Sequence, residues 1–190
     1  MKATRTALIA LLVSLLFAPG RSQKTPTGAT PSEPVLRGPF TLNLQTDKQH
    51  TYQKQFDKAP YVLDNEVHLF VKDNFGVNLT VAGDQITGVA YQPKLRKCDV
   101  TFRFTQEKTP RGPMMLLVIE NKTRHRLSMD AAMSVPNQDG FIRTSIVAIP
   151  ASLSDFESWP NPIVQLVLRN LRFSDVAQGP APSKTAPSIP

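Results

Sequence analysis

CDVTFRFTQ, residues 98–106, alternates along its whole length. Cys98, Val100, Phe102 and Phe104 fall on one side, and Asp99, Thr101, Arg103 and Thr105 on the other. A period of two puts one face in an apolar interior and the other in water, which is the signature of a half-buried strand. RLSMDAAMSV, residues 126–135, behaves the same way: Leu127, Met129, Ala131, Met133 and Val135 share a face. Between these two, Met114 to Ile119 is apolar on both sides, which fits an internal strand or one covered on its outer side.

Working outward, shorter runs with the same period start at Phe40, Thr51, Glu66, Gly76, Gln85, Phe141 and Ile163. The connections between them, such as KDNFG at 72–76, KTPRGP at 108–113, NKTR at 121–124 and PNQDG at 136–140, carry the residues that turns need. About eight to ten short strands with turn-rich connections predict an all-β domain, a single antiparallel β-sandwich or a small barrel. In the last run Val164, Leu166 and Leu168 share a phase, whereas Leu171 and Phe173 take the opposite one. A slip of one residue near Arg169 and Asn170 predicts a β-bulge there, with a central strand buried on both sides as the alternative. Before it, Phe156, Trp159, Pro160 and Pro162 read as a rigid aromatic loop that plugs one end of the core.

The ends of the chain have a different composition. Residues 1–20 combine Lys2 and Arg5 with an apolar run from Ala7 to Ala18 and the small residues APG, the pattern of a signal peptide. Residues 21–39 are rich in Pro, Ser, Thr and Gly, and read as a flexible spacer. Residues 175–190 read as a disordered Pro/Ala/Ser-rich tail, leaving 40–174 for the β domain. The chain is therefore expected to be exported, periplasmic or secreted, with no transmembrane span once the leader is removed. The general plan resembles immunoglobulin-like exported bacterial domains, a likeness of architecture with no motif behind it.

The formal net charge is +7, and loss of Lys2 and Arg5 with the leader takes it to +5. A positive balance favours anionic surroundings, so an envelope protein or an anionic envelope polymer or lipid is the expected partner. Nucleic acid is not expected, because no aromatic-plus-basic strand motif accompanies the charge. The basic residues gather in two places. Lys94, Arg96 and Lys97 precede the 98–106 strand, and Lys122, Arg124, His125 and Arg126 form a turn read as a hairpin tip. These seven, with Trp159 as an aromatic anchor, are the candidate binding residues.

Signs of chemistry are thin, and no cofactor is expected. Cys98 is single, sits on the apolar phase of its strand, and reads as a small core residue. The three histidines are scattered and no nucleophile motif is present, so no catalytic residue is assigned. An alternative reading gathers Met114, Met115, Met129 and Met133 with His125 into a copper-handling site, since thioethers and imidazole suit Cu(I). A further alternative is a hydrolase, for which Asp155 and Glu157 are the nearest acidic pair. Asn78 and Asn121 each begin an Asn-X-Thr glycosylation pattern. The leading expectation is a non-enzymatic binding or accessory module of the cell envelope.

Overall fold

The computed structural model describes residues 33–174; the leader, most of the spacer and the tail read from the sequence lie outside the described residues. Two five-stranded antiparallel sheets form a β-sandwich, with no α-helix among the described residues. The first sheet runs in the order β13 (Ser154–Trp159), β10 (Gly112–Asn121), β9 (Val100–Thr109), β7 (Asp73–Ala82) and β8 (Gln85–Gln92). The second runs β12 (Ile142–Thr144), β11 (Leu127–Ser134), β14 (Gln165–Phe173), β6 (Glu66–Leu69) and β5 (Val62–Leu63). Two small pairs complete the fold: β1 (Leu36–Arg37) with β4 (Ala59–Pro60), and β2 (Phe40–Gln45) with β3 (Thr51–Phe56). No helix among the described residues is long and apolar enough to cross a membrane.

The alternation sets which residues face inward. Phe102 pairs with Ile119 on one side and Phe75 on the other, and all three are buried. Phe104 pairs with Leu117 in the same phase. From the opposite sheet Leu127, Ala131, Leu166 and Leu168 close the interior. Each fully buried Phe or Leu contributes about 1.5–3 kcal/mol relative to exposure, so this double layer carries the stability of a chain that has no disulfide.

The bulge is where the phase slip places it. Between Ser128–Arg172 and Asp130–Arg169, β11 advances two residues and β14 three. Asn170 takes up the extra residue at φ +53°, a conformation that Asn tolerates better than most, and its side chain donates to Asp130 at 2.8 Å.

Several expectations need correction. NKTR at 121–124 is not a hairpin tip: β10 pairs with β9 and β13, β11 with β12 and β14, so the chain crosses from one sheet to the other. Residues 154–159 are an edge strand rather than a loop. On it Phe156 points outward and is 65% exposed, while Trp159, paired with Met115, packs on the core and donates its indole N–H to Thr144 at 3.1 Å. Half of the plug reading therefore holds. Asp155 and Glu157 share the inward phase of β13, an arrangement that discourages edge-to-edge pairing with another chain.

The last residues assigned to the spacer belong to the fold. Arg37 is buried, and its guanidinium forms a two-point ion pair with Asp73 while donating to the carbonyls of Pro60 and His68. The guanidinium also lies 3.9 Å from the Tyr61 ring centre and 5.0 Å from that of Phe70. This partner is required by the sheet itself: Asp73 shares the inward phase of β7 with Phe75 and Val77, so its carboxylate must enter the interior. Burial pushes the Asp73 carboxyl up, against the pull of Arg37 and of the Phe70 amide.

His68 sits beside this clasp. Its Nδ1 meets the Gln165 side-chain amide at 2.9 Å, and its buried Nε2 has no hydrogen-bond partner among the described residues. Burial lowers its pKa below the ordinary value near 6.5, and Arg37 adds to that, while Glu66 and Asp64 oppose it. A histidine kept neutral by the fold costs stability when the unfolded chain can take a proton and the folded one cannot. The urea midpoint should therefore fall as pH drops below about 6.5 toward the folded pKa. His68→Gln should flatten that part of the profile, and parallel profiles for the two proteins would remove His68 as the cause.

Candidate functional site

Two connections meet at one end of the sandwich. β8 and β9 both pair with β7, on opposite sides of it, so the chain from 93 to 99 must cross over β7. The crossing contains a single 3-10 turn, Leu95–Lys97, and presents Lys94, Arg96 and Lys97 to solvent. The second connection, 122–126, leaves β10 for the other sheet and exposes Lys122, Arg124, His125 and Arg126.

Lys122 joins the two. Its backbone N–H donates to Asp99 at 2.8 Å, and its ammonium donates to the Leu95 carbonyl inside the 3-10 turn. All seven basic residues read from the sequence therefore belong to one end of the domain. Carboxylates interleaved with them are already engaged. Asp99 accepts the Leu79 N–H at 2.8 Å, and Glu120 accepts the Thr101 hydroxyl at 3.1 Å and lies 3.5 Å from the Lys122 ammonium. The result is an end with six Lys and Arg side chains, with Glu120 beside the Lys122 ammonium.

Asn121 gives this end its shape. Fully buried, it donates to the carbonyls of His125, Ile149 and Pro150 at 2.8, 3.2 and 3.0 Å, and accepts from the N–H and hydroxyl of Thr123. One amide thus ties the 122–126 connection to the segment before β13. An amide so enclosed cannot also accept a glycan, which removes one of the two glycosylation matches. The His125 ring stacks on Phe173, centre to centre 4.6 Å, and the Arg126 guanidinium reaches the Ala148 carbonyl at 3.5 Å.

Cys98 is buried, though not among the interior side chains that hold Val100 and Phe102. It lies over Gly76 beneath the crossing, donates its thiol to the Leu95 carbonyl at 2.9 Å, and has the Lys122 ammonium 3.9 Å away. Burial pushes its pKa up by more than Lys122 pulls it down, so the group is a thiol suited to packing rather than attack.

Trp159 is not brought to the basic end. Trp159 pairs with Met115, six residues before Asn121 on β10. At about 3.3 Å per residue this sets it about 20 Å from the basic end. Met114 and Met115 belong to one sheet and Met129 and Met133 to the other; Met115 and Met129 are buried in the core, and His125 is at the basic end. The set read for copper is drawn from both facing sheets, because the chain changes sheets between its two halves. Asp155 and Glu157 sit two residues apart on one strand, with Glu157 accepting the Val147 N–H at 2.8 Å and one buried Asp155 oxygen unmatched among the described residues.

The sequence-based candidates omitted Arg37, Asp73 and Asn121. Extending the β7 alternation back from Phe75 and Val77 would have placed Asp73 inward and raised the question of its partner. Compared with protein-family models, with curated proteins and with solved structures, the chain matches none.

Proposed function

We propose that this chain is an exported, non-enzymatic binding or accessory module of the cell envelope, and that it meets an anionic envelope polymer or lipid through its basic end. The observation that carries the reading is the Lys122 bridge, which makes one surface out of two basic segments separated by a whole β-hairpin of the sheet. Supporting it are the leader-like residues 1–20 and the net positive charge. The exposed side chains can adapt to an irregular polyanion, and Asn121 and the 3-10 turn hold their backbones in place.

Each basic side chain close to an anionic membrane surface contributes about 1 kcal/mol. The variant Lys94→Glu/Lys122→Glu/Arg124→Glu should therefore bind phosphatidylglycerol vesicles and isolated envelope fractions about 100-fold more weakly, or worse. The parent's binding should weaken steeply with added salt, since these exposed charges are screened over about 8–10 Å. Co-sedimentation measures both. Unchanged retention of the triple variant, with its melting curve intact, would remove this end as the contact surface.

A further inference from the structure

At the opposite end of the sandwich a cleft of about 680 Å3 opens between the β2–β3 turn and the β9–β10 turn. That volume lies in the range of small-molecule sites, roughly 300–1,000 Å3. Both walls are shaped by internal hydrogen bonds. In the first turn Thr46 N–H donates to the His50 carbonyl at 2.9 Å, and Asp47 accepts from the N–H groups of Gln49 and His50 and from the His50 ring. In the second, the Thr109 hydroxyl donates to the Gly112 carbonyl at 2.7 Å, and Gly112 takes φ +132°, which favours glycine.

The charges are unevenly spent. Those turn hydrogen bonds, from Gln49 first and then His50, hold the Asp47 carboxyl at a pKa of about 2, so it stays ionised and its oxygens are occupied. Lys48 and Arg111 line the same cleft and enter no ion pair among the described residues. Pro113, Met114 and Pro160 give the cleft apolar surface, and Thr46, Gln49 and Thr109 add hydroxyl and amide groups.

A ligand that fits needs one anionic group for Lys48 and Arg111, a ring-sized body with an apolar face for the prolines and Met114, and hydroxyls for the polar rim. We propose that this cleft binds an anionic saccharide, a sugar ring carrying a carboxylate or a phosphate. The site is separate from the basic end and does not depend on it.

Amide chemical shifts of the isotopically labelled full-length chain, titrated with glucuronate, glucose phosphate and glucose, test this. Glucuronate or glucose phosphate should give saturable shifts at Lys48, His50, Arg111, Gly112 and Met114, and the stronger of the two identifies the anionic group. Glucose should give none. Lys48→Ala/Arg111→Ala should weaken the anionic sugar about tenfold or more, as expected for losing charge-assisted bonds, and leave the melting temperature unchanged. An equal response to glucose, or shifts confined to Lys94–Lys97 and Lys122–Arg126, overturns the proposal, and the second result does so without touching the basic end.

Discussion

Arg37→Ala should destabilise the domain by about 3–5 kcal/mol, the usual cost of removing one partner from a buried ion pair. The loss is large because three things go together. Asp73 is left inside without its counter-charge, the carbonyls of Pro60 and His68 lose a donor, and the rings of Tyr61, Phe70 and Phe75 lose the plate that lies against them. Arg37→Lys should recover only part of it, since an ammonium has no planar fork to pair with the carboxylate while covering Tyr61. The pH dependence gives a sharper signature. Without Arg37 the buried Asp73 carboxyl rises further and accepts a proton readily, and a neutral acid is cheaper to bury than a carboxylate. Its penalty is then present at neutral pH and relieved as the pH falls through the raised folded pKa. Urea unfolding of parent and variant at pH 7 and near pH 4 should show the gap narrowing on acidification. A constant gap, or a variant as stable as the parent at pH 7, would mean that the clasp contributes little.

How much of this was legible in the sequence depends on range. Alternation is local, so the inward phase of 98–106 and 126–135 could be read directly, except at Cys98, where the strand has not yet begun. The bulge at Asn170 was legible for the same reason: the apolar residues themselves change phase there. The path of the chain from β10 to β11 was not. Two apolar strands joined by Asn, Lys and Thr look alike whether they pair with each other or lie in different sheets, and only partners far along the chain decide it. That one ambiguity put Met114, Met115, Met129 and Met133 on two adjacent strands, where the fold sets them on two facing sheets. Arg37 was hidden differently, since its neighbours have the composition of a spacer and its partner stands 36 residues away. The basic segments were visible one at a time; their meeting depends on a crossing over β7 that no local pattern records.

That crossing predicts its own weak point. Gly76 is buried on β7 directly beneath Cys98, and a Cβ built there would lie 2.4 Å from the Cys98 sulfur, 2.6 Å from its Cβ and 3.0 Å from the Val100 carbonyl oxygen. No real contact is so short, so Gly76→Ala must lift the crossing off the sheet. Overpacking of this kind costs about 1–3 kcal/mol, and the upper end applies because one of the opposing atoms is a Cβ fixed to its backbone. The gain from a stiffer unfolded chain, about 0.4–1 kcal/mol, does not offset it. Partial rescue separates this cause from a general defect. Cys98→Gly removes both side-chain atoms and should restore much of the stability of Gly76→Ala, whereas Cys98→Ala leaves the Cβ in place and should restore little. The crossing also carries Lys94, Arg96 and Lys97 toward Lys122, so the fraction of Gly76→Ala that still folds should hold anionic vesicles less tightly than the parent. Equal rescue by the two cysteine replacements, or a Gly76→Ala protein that melts with the parent, would show that the chain between β8 and β9 does not lie against this glycine.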